Sequence, residues 1–488
     1  MTQPPQIQTQ IKNPILTLYA FQLRDAAEEG YQKPAQNADD LWTNVEFAAK
    51  KLNFPELENL PSQLKLNDLN DWEDLLLKGK NLKLSQPENH PLKGSFRAQK
   101  AQDIYIAELT LFCKDKETPI STGNLTEFNP AGCLLQPTIK ATFGQTILLY
   151  AEPAVFDNYR QLADTCIKNL IQNLITQTPQ FVNEGELLGS PIFEYDNRQL
   201  NPEKNCHVLI WLKRHPDTLK LVTKDFDLEL RNLLLYRRKV LYAYFQGRKH
   251  YAEGQNIAHI LEKKIPEFEA ITQESEQETR LQKYRELLKD ILKEGFEYRK
   301  CLRYLQEDYN TITINTENFA KSLKDIQALK LPDDNLELWE SFLELAKNKY
   351  QKQLEADINY LIAGQNLFQE MVATIRANLD LEQIEVDKNS QKKDAENSRD
   401  LNITIAVVGA GMGGAGVVAT SYALVKPEEP LLAPWDTNAK KSHPFTESIL
   451  LSLLAGGVVV SLFFLIRKWW LFKQNKQKKD SQKGEPNN

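Results

Sequence analysis

Cysteine, histidine and methionine are all scarce in this 488-residue chain, at five, six and three residues. The cysteines (Cys113, Cys133, Cys166, Cys206 and Cys301) stand far apart, with no Cys-x-x-Cys pair. That spacing excludes a zinc ribbon or a disulfide framework and points to reduced thiols in a reducing compartment. His90, His207, His215, His250, His259 and His443 form no local cluster. An excess of base is missing too: 60 Lys and Arg stand against 66 Asp and Glu, a formal net charge of -6. Nucleic acid is therefore not an expected partner. The first 25 residues carry no basic-then-apolar signal sequence, so the N-terminal mass is expected in the cytoplasm.

No catalytic constellation is visible either. Gly189-Ser190-Pro191 is not a nucleophile elbow. Cys206-His207 is an adjacent pair on a strand-like segment without a companion at zinc spacing, and it reads as packing. The expectation is a non-enzyme, with no cofactor and no metal site. A mean hydropathy of -0.49 is too polar for a polytopic transporter, while 41% hydrophobic residues exclude a wholly disordered chain.

What the sequence does have is organisation. Residues 1–222 mix strand and helix signals and are expected to form a cytoplasmic α+β or α/β head. Strands are expected at Ile15–Phe21, Asp103–Phe112, Gln145–Tyr150 and Cys206–Leu212, from their β-branched and aromatic content. Helices are expected at Asp39–Leu52 and Asn158–Thr176. Loops are expected around Pro61 and from Ser85 to Pro91.

Residues 223–385 change period. Positions 281, 284, 288, 291, 295, 298, 302, 305, 309, 312, 316, 319, 323 and 326 alternate steps of three and four, and twelve of the fourteen are apolar or aromatic. Leu331-Pro332-Asp333-Asp334-Asn335 then supplies a turn and an N-cap. The pattern resumes at Leu354, Ile358, Leu361, Gln365, Phe368, Val372, Ile375 and Leu379. With a first arm from Phe226 to about Ile265, ended near Pro266, these predict a long three-helix antiparallel coiled-coil stalk. Residues 386–400 are charged and form either a flexible linker or a solvated helical extension.

Within the first arm, Arg231 to His250 holds six Arg or Lys and no acid, interleaved with Tyr236, Tyr242, Tyr244 and Phe245. The expected helix turns its aromatics inward and its bases to solvent. The alternative is an anion-binding face.

Two further stretches point to a membrane. Residues 401–425 carry no charge, and 445–466 form a second candidate span, with Glu447 near its mouth. The second ends in Arg467, Lys468, Trp469 and Trp470, an interfacial anchor. The tail 467–488 holds seven bases and the 386–400 linker four, against three in the 426–444 loop. That asymmetry predicts both termini on the cytoplasmic side of the cell inner (plasma) membrane or another internal membrane.

Gly409, Gly411 and Gly414 match the dinucleotide fingerprint, but no βαβ unit follows them. Asn402, Ala406, Gly409, Gly413, Gly416 and Thr420 recur at steps of four and three and share one helix face. Such a stripe of small and polar residues serves either close helix packing or the lining of a hydrated path.

A large cytoplasmic head, a long-helix stalk, two C-terminal spans with a short outer loop and a basic tail together resemble the CorA-type divalent-cation channels. The resemblance implies a homo-oligomer, a divalent cation as partner and a pore lined by the first span. The family's Gly-Met-Asn signature is absent from the outer end of that span; Gly411-Met412-Gly413 lies in its middle. Leu188 to Phe193 and Asn310 to Asn315 also resemble two-span membrane proteins of cyanobacteria, a likeness that names no activity. Two functions are therefore expected as alternatives: an oligomeric CorA-like ion channel or transporter, or a membrane-tethered coiled-coil scaffold or sensor.

Overall fold

A computed structural model describes residues 10–389 apart from 26–34, 68–69, 71, 87–91, 155–157 and 172–176, with side chains to residue 384. Both expected spans, the small-residue stripe from Asn402 to Thr420 and the anchor Arg467 to Trp470 lie outside the described residues. Among the described residues, no helix is long and apolar enough to cross a membrane.

The N-terminal part is a mixed ten-stranded sheet. In chain order its elements are β1 (Gln10–Leu23), α1 (Asp40–Lys51), β2 (Trp72–Asp74), β3 (Leu82–Ser85), β4 (Leu92–Ala101), β5 (Ile104–Cys113), β6 (Ile120–Ser121), β7 (Gly144–Pro153), α2 (Tyr159–Ile171), β8 (Gln180–Leu187), β9 (Ser190–Asp196) and β10 (Cys206–Leu212). The strands run in the order β2-β4-β5-β1-β7-β10-β9-β8, with β3 on β4 and β6 on β1. Every pairing is antiparallel except β7 with β10, which are parallel. The crossover between those two strands carries α2 and the β8–β9 hairpin, long enough for a parallel return.

Alternation sorts the strand residues onto two faces. Leu16, Leu18, Ala20, Ile147, Leu149, Val208 and Ile210 pack with α1 and α2 in one core. Tyr19, Phe21, Ile104, Ile106, Leu148, Tyr150, Leu209 and Trp211 point the other way, into a second core shared with the long helices.

Those helices follow a short α3 (Thr218–Leu221) and are α4 (Lys224–Glu262), α5 (Lys264–Thr272), α6 (Gln277–Leu329), α7 (Glu337–Leu345) and α8 (Lys352–Asn389). Thr223 caps α4, its hydroxyl accepting from the Phe226 N–H at 3.1 Å. The first arm ends at Glu262, close to the expected end near Pro266; a short α5 follows after Lys263, with Pro266 in its first turn, where its missing N–H and its ring cost little. Between α7 and α8 the chain makes a π-helical turn, Ala346–Gln351. The helix continues through residues 386–389, so the start of the charged segment is helical.

The three long helices run up, down and up. The Gly247 position faces Leu305 and Leu354; the Gly254 position faces Cys301 and Leu361. Numbers rise together along α4 and α8 while those along α6 fall. Farther along, Phe368 lies over Gly295 and Arg280 pairs with Glu382. Of the fourteen seam positions expected on α6, thirteen are buried and Tyr309 is half-buried. Residues 1–382 form one compact unit, so sheet and bundle are parts of a single body.

Candidate functional site

The most unusual chemistry in that body lies where α4 crosses the helix-facing side of β7, β9 and β10. Thr146, His207 and Asp196 stand side by side across three strands, because His207 pairs in register with Thr146 of β7 and with Asp196 of β9. Glu194 lies two residues before Asp196 on the same face. Against this polar row α4 places Arg237 and Arg238, and all five of Glu194, Asp196, His207, Arg237 and Arg238 are buried.

The hydrogen bonds close the set tightly. Arg237 Nη2 donates to Glu194 Oε1 at 2.9 Å and to Asp196 Oδ2 at 3.2 Å. His207 Nε2 lies 3.0 Å from Glu194 Oε1, and Nδ1 lies 2.9 Å from Thr146 Oγ1. The consistent tautomer has Nε2–H donating to the carboxylate and the threonine hydroxyl donating to Nδ1. Arg238 Nη1 donates to Asn205 Oδ1 at 2.6 Å, Nη2 donates to the Gln145 carbonyl, and Nε reaches Thr146 Oγ1 at 3.4 Å. Asn205 Nδ2 in turn donates to Asp196 Oδ1 at 2.7 Å. Gly144, at φ +84°, leaves the room this needs: a Cβ there would come within 3.1 Å of Arg238 Nη1 and 2.5 Å of the Pro202 carbonyl.

Burial sets the charge states. It pushes the His207 pKa well below its ordinary value, and the adjacent Arg237 and Arg238 cations push the same way, so the imidazole is neutral. Burial, with Arg237 alongside, lowers Arg238 to about 9. Burial opposes the charge on Arg237 as well, but Glu194 and Asp196 outweigh it and raise its pKa. Burial raises the Glu194 pKa, with Arg237 pulling it back.

Glu194, Asp196 and His207 bring three ligand-type atoms within 4.8 Å of one another. Two carboxylates and an imidazole are a donor set for a divalent transition metal. Here, however, both carboxylates already accept from Arg237, and a cation would have to displace a guanidinium in a closed interior. The arrangement works as an internal ion-pair and hydrogen-bond network joining helix to sheet. His207 is thus more than a packed residue. Its hydrogen-bond partners Glu194 and Thr146 lie 13 and 61 positions earlier in the chain, on the two neighbouring strands, and no local motif joins them. Cys206, next to it, faces the opposite core.

A second network lies along the same face. Glu108 of β5 sits 3.5 Å from Arg97 Nη1 and 3.9 Å from Arg231 Nη1, and Arg97 also reaches Asp227 at 3.2 Å. Burial raises the Glu108 pKa, with Asp227 adding to it.

Together the two networks correct the expectation for Arg231 to His250. Arg231, Arg237, Arg238 and Lys239 are buried rather than turned to solvent. The run holds no acid because its acids come from elsewhere: Glu108, Glu194 and Asp196 from the sheet, and Asp103 for Lys239 at 2.8 Å. Farther along, Arg248 pairs with Asp357 of α8 and His250 with Asp308 of α6 at 2.7 Å. Nor does this stretch form an anion-binding face, since these cations are spent inside the protein.

The turn at 331–335 forms, with the Asp334 N–H donating to the Leu331 carbonyl at 3.1 Å, and Asn335 Oδ1 accepts from the Glu337 N–H at 2.8 Å at the start of α7. The Asp334 carboxylate has a different role: it accepts from the backbone N–H groups of Leu188, Gly189 and Leu331. Gly189-Ser190-Pro191 is the tip of the β8–β9 hairpin, and Ser190 Oγ accepts from the Arg214 N–H at 2.8 Å. No protein-family model and no curated protein matches the chain.

Proposed function

We propose that this is a two-pass membrane protein whose described body is a rigid cytoplasmic arm, a membrane-tethered scaffold or sensor that presents its sheet end to a partner. The proposed anchors are 401–425 and 445–466, with a short outer loop between them and a basic cytoplasmic tail. One observation carries the reading: sheet and bundle share a core, and α8 continues as helix to Asn389, close before the first uncharged stretch. A body pinned internally by buried ion pairs moves as a lever rather than as separate parts. Its partners on this reading are membrane lipid and whatever docks on the sheet end.

The second reading is an oligomeric CorA-like channel, favoured by the stripe Asn402, Ala406, Gly409, Gly413, Gly416 and Thr420. There a divalent cation would be the cargo and the first span would line the path.

Liposome flux of the purified full chain, measured beside its extraction by alkaline carbonate, separates the two. The scaffold predicts carbonate-resistant protein with no flux of magnesium, cobalt or potassium. Flux that Gly413→Leu abolishes in correctly inserted protein would replace the scaffold with the channel.

A further inference from the structure

At the β2 edge of the sheet, the side that faces the long helices holds a pocket of about 180 Å³. Strand register builds its lining. Asp74, Gln99 and Ile106 stand in one row across β2, β4 and β5, and Trp72 and Ala101 stand side by side in the next. Arg231 lines the same pocket from α4. The volume exceeds that of several waters, at roughly 30 Å³ each. It falls short of the roughly 300 Å³ at which drug-sized sites begin. Any ligand it takes is small.

Three groups in the lining are left wanting a partner. Arg231 is only 8% exposed, and its Nε is buried without a hydrogen-bond partner. Glu108 does not supply one, since its Oε2 lies 3.9 Å from Arg231 Nη1 and is itself buried without a donor. Asp74 gives Oδ1 to the Gln99 amide at 2.7 Å, while Oδ2 has Lys80, 3.6 Å away with a largely exposed side chain. Trp72 is 54% exposed, an unusual degree for the largest apolar side chain. The Gln99 carboxamide joins the first two groups, because Arg231 Nη1 donates to its Oε1 and its Nε2 donates to Asp74. Cation and carboxylate therefore stand one small group apart, which suits a small molecule that carries both charges.

We propose that this pocket binds a free α-amino acid with an aromatic side chain. Its carboxylate gives Arg231 the acceptor it lacks, its ammonium pairs with Asp74, and its ring packs on Trp72. The surrounding charge favours a zwitterion over an anion such as phosphate. Arg97, Arg231 and Lys80 are balanced by Glu108, Asp227 and Asp74. Glu73 and Lys100, also in the lining, are engaged by Lys65 and by the Asn70 carbonyl. With no surplus of either sign, a neutral ligand with separated charges matches the site best. Every residue of the site belongs to the described body, so the assignment stands whatever anchors the chain.

The test is equilibrium dialysis of tritiated L-phenylalanine against the purified full-length protein. Saturable binding to one site per chain is expected, with phenylacetate and phenethylamine competing at least about tenfold more weakly than unlabelled L-phenylalanine, because each leaves one charged group of the site unpaired. Trp72 and Asp74 lie at the sheet edge and are partly exposed, so Trp72→Ala and Asp74→Asn keep the fold, which circular dichroism checks. Asp74→Asn should weaken binding at least about tenfold, and Trp72→Ala about three- to tenfold. Lys80→Ala, which takes away the competing cation, should leave binding as tight or tighter. No saturable binding to folded wild-type protein would mean that water alone fills the pocket and would overturn the proposal. Binding unchanged by both Asp74→Asn and Trp72→Ala would overturn it too, by placing the ligand elsewhere. Phenylacetate competing as well as L-phenylalanine would overturn the amino-acid assignment.

Discussion

Asp334 and Gly189 are joined by a 2.7 Å hydrogen bond from the glycine N–H to the carboxylate, although 145 positions separate them in the chain. The other carboxylate oxygen accepts from Leu188 at 2.7 Å and from Leu331 at 2.9 Å. Leu188 and Gly189 both have positive φ, +50° and +71°, as a two-residue hairpin turn requires. A leucine in that region is strained by about 1–2 kcal/mol, so the carboxylate holds a conformation that the turn does not favour by itself. Asp334→Ala is expected to cost roughly 2–4 kcal/mol in urea unfolding, from several charge-assisted bonds lost together. Amide exchange at Leu188 and Gly189 should accelerate with it; unchanged protection there would show that the hairpin is held by other contacts.

Arg237 carries the helix-to-sheet network. Arg237→Ala leaves Glu194 and Asp196 buried without their cation and is expected to cost about 3–5 kcal/mol. The double change Arg237→Met with Glu194→Gln should recover part of that loss, because one of the two stranded carboxylates is removed as well, leaving Asp196 with its Asn205 hydrogen bond. A double variant as unstable as the single would mean that packing, not charge, accounts for the cost.

His207 gives the network a pH signature. Its folded pKa lies well below the usual 6.5, so the folded chain keeps the imidazole neutral while the unfolded chain takes up a proton. The unfolded state then binds more protons, and stability falls as the pH drops below about 6.5. Above that pH the contribution of His207 is complete. His207→Gln should flatten this part of the stability curve between pH 6.5 and 5 relative to wild type, read by urea midpoints at each pH. Parallel curves for the two proteins would refute the assignment.

The bundle seam makes a sharper packing test. A Cβ at Gly295 would lie 2.0 Å from Phe368 Cζ, far inside contact distance. Gly295→Ala is therefore expected to destabilise by about 1–3 kcal/mol through overpacking. Leu305→Ala, at a site with no solvent exposure, should cost about 2–5 kcal/mol through the cavity it leaves. Glu307→Ala, on the exposed face, should stay within about 0.5 kcal/mol. Equal losses at Leu305 and Glu307 would mean that the buried face is misplaced.

How legible all this was in the sequence follows from where the information is stored. The α6 seam could be read because heptad burial is local: each turn repeats the signal. The strands β1, β5, β7 and β10 were legible as apolar, β-branched runs. Strands β4 and β9 were not. β4 reads Leu-Lys-Gly-Ser-Phe-Arg-Ala-Gln-Lys-Ala, in which polar residues such as Lys100 are buried within the sheet, and β9 carries Pro191, Glu194 and Asp196. The arginine network was invisible for the same reason. Arg237 and Arg238 look like solvent-facing bases until the fold brings acids from β9 against them, and no spacing rule links position 194 to position 237. The exposed apolar row on α8 was legible in principle, since Tyr360, Leu367 and Leu381 are a heptad and two heptads apart. Only the structure shows that the bundle leaves them uncovered.

The central claim, a cytoplasmic body on a two-span anchor with both termini on one side, is tested most directly by accessibility labelling in intact cells. The buried native cysteines leave probes at Asn438→Cys and Gln482→Cys as the reporters. The account predicts that a membrane-impermeant maleimide added outside labels Asn438→Cys and labels Gln482→Cys only after the cells are opened, because the bases cluster in the linker and tail. Labelling of Gln482→Cys from outside with Asn438→Cys protected, or equal labelling of both before lysis, would contradict it.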